Sequence, residues 1–175
     1  IEYEITAWGD RYRCWGIDHR VFPGNTSDIY DPCWQKFASI KDEIFTDNRQ
    51  IDLMLVDSGD GELTDVIYNF CDTFGDGLIM PSKGLVSTTR TKDKFKIVEI
   101  DGYNGISLVE IYVDLYKNTL ARCLSQEERI DGDYPDGWFT FAQNYSDEYF
   151  RQLTTEERVK VTTPSGLVKL KWVQH

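Results

Sequence analysis

The chain predicts an α/β domain built on a mixed sheet flanked by helices, and three observations carry that prediction. The N-terminal residues alternate apolar and polar with period two on both sides of a Gly-Asp turn, as a hairpin does. Two short apolar runs, residues 51–56 and 78–80, are separated by a helical stripe, which is the order of a β-α-β unit with parallel strands. Strand, helix, strand, helix and a closing hairpin follow, so the chain fits neither an all-helical nor an all-β architecture.

The opening Ile1-Glu2-Tyr3-Glu4-Ile5-Thr6-Ala7 reads as a half-buried strand. Gly9-Asp10 turns the chain, residues 11–22 return as a second strand, and Pro23-Gly24-Asn25 ends the pair. A helix is expected from Asp31, with Pro32 in its first turn and Trp34, Phe37, Ile40, Lys41 and Ile44 along one stripe. Residues 51–56 are nearly all apolar and read as a central strand covered on both faces, stopping at Asp57-Ser58-Gly59-Asp60-Gly61. A second helix runs over residues 63–74 with Val66, Ile67, Phe70 and Cys71 inward, and Leu78-Ile79-Met80 returns as a parallel strand.

Residues 83–96 are polar and basic, with Arg90, Lys92, Lys94 and Lys96 at alternate positions, and are expected to form a mobile loop. Residues 95–100 read as a strand ending at Asp101-Gly102. Residues 108–124 carry a helical stripe of Leu108, Ile111, Tyr112, Leu115, Tyr116 and Leu120. A turn-rich linker over residues 131–137 leads to the strand Trp138-Phe139-Thr140-Phe141. Ser146 or Asp147 should cap a short helix reaching Glu157, and the tail should fold as a hairpin turning at Pro164-Ser165-Gly166. Antiparallel strands followed by parallel crossovers resemble the ribonuclease-H-like arrangement.

The 175 residues have the size of one ordinary domain, and 41% apolar content is enough for a core. Thirty acidic against nineteen basic residues give a net charge of −11, which argues against a nucleic-acid coat or a membrane-surface binder. It leaves room for an enzyme that meets phosphates through bound metal ions. No apolar run approaches the ~18 residues that would span a bilayer, and no signal peptide opens the chain. Ile1 already lies inside an alternating pattern, so the chain is expected to be a piece of something longer. Cys14, Cys33, Cys71 and Cys123 form no CxxC pair and suit a reducing cytoplasm, while His19 and His175 alone make a poor start for a zinc site.

Asp57 is the sharpest candidate for chemistry. A carboxylate just past a buried strand faces the crevice where open α/β sheets bind ligands, and its oxygen donors suit Mg²⁺ or Mn²⁺ in two-metal phosphoryl transfer. Capping a turn or the following helix would use the same residue equally well. Asp101 is the second candidate carboxylate, although an Asp-Gly pair also serves as an ordinary turn. Lys83 follows the strand after Asp57's and could meet a phosphate, or simply be a solvated lysine. The run from Asp57 to Glu62 fails as an EF-hand loop, because a loop with Gly61 sixth would start at Val56 and end at Ile67. Asp131-Gly132-Asp133 reads as a solvated turn. No GxxxxGK[ST] or GxGxxG string is present. On the closing hairpin Lys160, Lys169 and Lys171 alternate with apolar residues and predict a ribbon with one basic face, suited to a DNA backbone or to solvent.

Several blocks then combine into a family resemblance. Val56-Asp57-Ser58-Gly59 followed by Val66-Ile67-Tyr68-Asn69-Phe70-Cys71 resembles the "DSG…VY.FC" segment of large terminase subunits of the lambda-like GpA family. Ile17-Asp18-His19-Arg20-Val21-Phe22-Pro23-Gly24 is similar to its "ID.R.IPG", Met80-Pro81-Ser82-Lys83-Gly84 to its "IKG", and Glu99-Ile100-Asp101 to its "GVDT". Residues 147–156 resemble "DEEYFeQLTaE", the most specific block.

The resemblance implies the C-terminal nuclease domain of a phage DNA-packaging motor, spanning residues 1–175, ribonuclease-H-like in fold and without the motor's ATPase domain. It implies an endonuclease that cuts concatemeric double-stranded DNA with Mg²⁺ or Mn²⁺, in the host cytoplasm. The small terminase subunit and the portal of the procapsid would be its partners, with no membrane involved. Asp57 would be a metal ligand, with Asp101 beside it in catalysis and Lys83, Lys160, Lys169 and Lys171 on DNA.

The family's further acids lie in a "GVDVQ"-like strand end and a "NEALD" helix, and neither string occurs here. The expectation is therefore a domain lacking its first strand and last helix, weak or inactive as a nuclease by itself. The family's Lys after "VDT" has no match in Asn104-Gly105-Ile106-Ser107, and Gly61-Glu62 stand where it has a His after "DSGG". Two other readings are a non-catalytic docking or DNA-binding module of the motor, and another ribonuclease-H-like nuclease such as a resolvase.

Overall fold

The computed structural model describes residues 1–45, 48–87, 93–103, 105–127 and 134–174. Arg90 and Lys92 of the basic stretch, Asn104, His175 and the turn at Asp131-Gly132-Asp133 lie outside the described residues. The chain divides into two compact units, Ile1–Tyr3 with Arg20–Arg122, and Glu4–His19 with the residues from Cys123 onward. The opening hairpin contributes to both. Its strands β1 (Glu2–Trp8) and β2 (Cys14–Val21) are hydrogen-bonded neighbours, and Ile1 and Phe22 exchange backbone hydrogen bonds of 2.7 Å where the strands meet the rest of the chain.

In the first unit, helix α1 (Pro32–Ser39) begins where Asp31 predicts. Asp31 Oδ1 accepts from the Cys33 N–H at 2.9 Å and Oδ2 from the Asn25 N–H at 3.1 Å. These hydrogen bonds, that from Cys33 foremost, hold its carboxyl below the usual carboxylate range. The expected stripe is too long. It ends at Ile40, buried in a following 3₁₀ turn (Ile40–Asp42), whereas Ile44 is exposed because Glu43 turns the backbone extended.

Trp34 and Phe37 pack against Phe70 of α2 (Thr64–Phe74), with ring centroids 4.4 and 5.9 Å apart, and Phe70 is completely buried. Tyr3 joins through Phe37 at 6.2 Å. This aromatic cluster is the heart of the unit, where each large ring removed from water contributes several times the stabilisation of a methyl.

The main sheet comprises β3 (Met54–Asp57), β4 (Ile79–Leu85), β5 (Phe95–Glu99) and β6 (Ser107–Tyr112), in the order β3-β4-β6-β5. β3, β4 and β6 are parallel and β5 runs antiparallel to β6. Three expectations need correction. Among the described residues β3 is an edge strand, not a central one, and Leu53 and Leu55 are exposed. An apolar run reports burial tendency and does not encode strand order. β4 continues through Pro81 to Leu85, so Lys83 lies inside a strand and not in a loop. A proline is rare in an inner strand because it gives the ladder no donor, which is why the sequence reading stops at Met80. Residues 107–112 form β6, and only Val113–Leu124 are helical, as α3. The spacing of Leu108, Ile111 and Tyr112 fits a helix, but the Val109–Ile111 stretch is β-branched at Val109 and Ile111 and pairs on both sides.

In the second unit β7 (Phe139–Phe141) adds to β2 in parallel, with Cys14 opposite Phe139 and Gly16 opposite Phe141. Helix α4 (Asp147–Leu153) is capped by Ser146, whose Oγ accepts from the Tyr149 N–H at 3.2 Å. It stops at Leu153, short of the expected Glu157, because the chain enters β8 (Glu156–Thr162), which pairs antiparallel with β9 (Val168–Gln174). Tyr145 seals the unit. Its hydroxyl donates to Glu4 Oε1 at 2.9 Å, and its ring meets Tyr149 and Phe141 at 4.7 and 5.4 Å. Burial first, and then the Glu4 carboxylate, push the Tyr145 hydroxyl pKa far up.

Candidate active site

Asp57 closes β3 and is exposed to solvent. The backbone after it is tightly fixed. Ser58 is completely buried, and both its N–H and its Oγ–H donate to the Ser82 carbonyl, at 2.7 and 2.9 Å. Asp57 Oδ1 accepts from the Gly59 N–H at 2.9 Å, and a Cβ at Gly59 would stand 3.1 Å from that same oxygen. A side chain at position 59 would therefore press on the carboxylate. The Thr64 hydroxyl, at the start of α2, lies 3.0 Å from the Ser58 carbonyl and 2.9 Å from that of Asp60. Asp57 is thus an exposed carboxylate on a rigid turn. The anchoring role of Ser58 is what sequence reasoning missed, since the string shows Ser58-Gly59 only as a tight turn; a serine right after an apolar run was the available signal.

The other expected site residues are not brought to Asp57. Asp57 stands opposite Ser82 in the parallel register, so the two share a face, and Lys83, the next residue, projects from the other. Lys83 is exposed and stands opposite Glu110 on β6, which stands opposite Lys96 on β5. Glu110 pairs with Lys96 at 2.5 Å, and that hydrogen bond raises the Lys96 pKa. Asp101 follows β5, the antiparallel strand, and so lies at the opposite end of the sheet from Asp57. It occupies a reverse turn in which the Tyr103 N–H donates to the Ile100 carbonyl at 3.2 Å and Gly102 takes φ +86°. That is the conformation a glycine at the third turn position supplies. Asp114, at the start of α3, is instead engaged by the backbone and hydroxyl of Ser87. Burial works against its ionisation, but the Ser87 hydrogen bonds win and lower its pKa.

The donor set at Asp57 does not fit a pair of divalent ions. Among the described residues no three His, Cys, Asp or Glu side chains come together as a metal-holding group. Two adjacent divalent cations need several carboxylates to offset their charge and fill their shells.

The closing hairpin departs from expectation in register. Thr162 pairs with Val168 across the 163–167 turn, so Lys160 stands opposite Leu170, Val159 opposite Lys171 and Val161 opposite Lys169. Residues directly opposite share a face. One face therefore carries Glu156, Arg158 and Lys160 with Val168, Leu170 and Trp172, and the other carries Lys169 and Lys171 with Val159, Val161 and Glu157. The predicted single basic face does not exist. Counting alternation within each strand cannot reveal this, because the turn length sets the phase between strands.

Among the described residues no helix is long and apolar enough to cross a membrane. No curated protein and no solved structure matches the chain. One family model does match, over residues 1–175, and it spans the Asp57 turn, both units and the α4 block alike. By that match the chain belongs to the family of the terminase large subunit gpA, endonuclease domain.

Proposed function

We propose that this domain cuts concatemeric phage DNA during packaging, with Asp57 as a ligand for Mg²⁺ or Mn²⁺ in a ribonuclease-H-like arrangement. The observation that carries the reading is the exposed Asp57 carboxylate, held by Ser58 and Gly59 at the carboxyl end of a parallel strand, in a member of an endonuclease family. Hairpin, helix and β-α-β order support the fold assignment. Double-stranded DNA, the small terminase subunit and the portal are its proposed partners, in the host cytoplasm. Arg158 and Lys160 form one proposed phosphate-facing side of the β8–β9 ribbon, with Glu156 at the end of that face, and Lys169 and Lys171 lie on the reverse with Glu157. Lys83, on the other face of the sheet from Asp57, and Asp101, at the sheet's other end, enter as a peripheral DNA contact and a turn carboxylate.

With no group of three metal-ligating side chains among the described residues, this domain is expected to hold a hydrated ion weakly and to cleave slowly. Plasmid nicking with Mn²⁺ tests this. Slow nicking that disappears in Asp57→Asn supports the reading; efficient nicking that survives the substitution removes Asp57 from it. The same scarcity of carboxylates favours a second reading, in which these residues act as a docking or DNA-binding module. Binding of duplex DNA with no nicking under any divalent metal would select it.

A further inference from the structure

The tip of the opening hairpin accepts strain in order to display side chains that packing does not need. Asp10–Tyr12 form one 3₁₀ turn, in which Arg11 (φ 60°) and Tyr12 (φ 59°) both adopt the left-handed conformation. Any residue with a Cβ is disfavoured there, and glycine at both positions would build the same turn without strain. The turn is nonetheless fixed. The Gly9 N–H donates to the Arg13 carbonyl at 3.0 Å, the Arg13 N–H to Asp10 at 3.4 Å, and the Gly137 N–H to the Arg11 carbonyl at 2.8 Å.

The outcome is a tyrosine 81% exposed between two arginines. Among the described residues no other ring packs on Tyr12. Among the described residues Arg11 pairs with Asp136, at 3.8 Å with both side chains mostly exposed, a pair that water readily replaces. The Arg13 guanidinium lies 6.0 Å from the Trp15 ring centroid, and its Nε donates to the Asp10 carbonyl at 3.4 Å. An exposed aromatic ring with an arginine before and after it in the chain offers stacking for a base and charge for the phosphates flanking it. A base inside a duplex has both faces occupied, so the feature fits an unpaired strand. It is base-sized, far smaller than the ~800 Å² that a protein partner covers.

We propose that the Arg11-Tyr12-Arg13 tip binds single-stranded DNA, with Tyr12 stacked on an unpaired base and Arg11 and Arg13 on the adjoining phosphates. The proposal rests on the nuclease reading only for the choice of DNA as ligand. Its readout is binding and not cleavage, so the two readings fail separately.

The test is fluorescence anisotropy of a labelled single-stranded oligonucleotide and its blunt duplex with the chain of residues 1–175. Tyr12→Gly relieves strain, so its unfolding midpoint should equal or exceed that of the parent. Its single-strand affinity should nevertheless fall about fivefold or more, while Tyr12→Phe retains affinity. Arg11→Ala with Arg13→Ala should flatten the slope of log K against log salt by about 1.4, two phosphates at ~0.7 each. Unchanged affinity in Tyr12→Gly, or no binding of the single strand by the parent, overturns the proposal. So does a change in sedimentation of Tyr12→Gly with DNA binding intact, which would assign the tip to a protein partner.

Discussion

Lys160 and Lys169 lie on opposite faces of the β8–β9 ribbon, because Lys160 stands opposite Leu170 while Lys169 stands opposite Val161. A duplex resting on one face meets only one of the two. With Arg158→Ala and Lys160→Ala together, the salt slope of duplex binding should flatten by about 1.8, at ~0.9 per phosphate. Lys169→Ala with Lys171→Ala should leave it unchanged. Equal flattening in both pairs would mean that DNA wraps the ribbon's edge.

Gly16 leaves room for the Tyr145 hydroxyl, which a Cβ there would approach to 2.5 Å. Gly16→Ala should displace Tyr145 from Glu4 and destabilise the domain by ~1–3 kcal/mol. Because Tyr145→Phe removes the nearest clashing atom and leaves the ring Cζ, at 2.8 Å, as the closest, the double variant should lose less than the sum of the singles. Thermal unfolding of the four proteins in this cycle checks it.

Lys41 closes the carboxyl end of α2, where its Nζ donates to the Phe74 carbonyl at 2.7 Å and pairs with Asp76 at 2.5 Å. Its side chain is only 14% exposed. Lys41→Met keeps the stem and removes the charge, and should cost ~1–2 kcal/mol in urea unfolding.

Burial pushes the Cys14 and Cys71 thiols up from 9.0 to about 12, with Glu4 adding to the effect at Cys14. A thiol is neutral when protonated, so below pH 9 both states keep the proton and stability is full. Between pH 9 and 12 the unfolded chain releases protons that the folded one retains, and stability falls by up to ~1.4 kcal/mol per pH unit for each thiol. Urea midpoints at pH 8 and pH 10 should therefore differ, and less so in Cys71→Ala than in the parent.

Much of this architecture was legible in the residues. Asp31 and Ser146 cap the helices they were expected to cap, because short polar side chains at those positions satisfy free N–H groups whatever the tertiary context. Asp57 stands out as a candidate because an acid ending an apolar run is visible in the string, and it does end a strand. The companions chosen for it were not legible in the same way. Whether Lys83 or Asp101 shares its face and its end of the sheet depends on register and strand direction, which arise between segments and not within them. The same limit misplaced Lys160, and a stripe of Leu108, Ile111 and Tyr112 was ambiguous because periods of two and of 3.6 coincide over so few residues.

Among the described residues β3 leaves one border of its sheet unpaired, which has a practical bearing on how the protein behaves in a tube. Main-chain groups along that side could template a growing aggregate, but the strand is four residues long and sits between the carboxylates of Asp52 and Asp57. Copies approaching border to border would bring like charges together and repel. Removing the Asp57 charge therefore lifts a gatekeeper as well as the proposed metal ligand, and light scattering belongs beside every assay of an Asp57→Asn preparation.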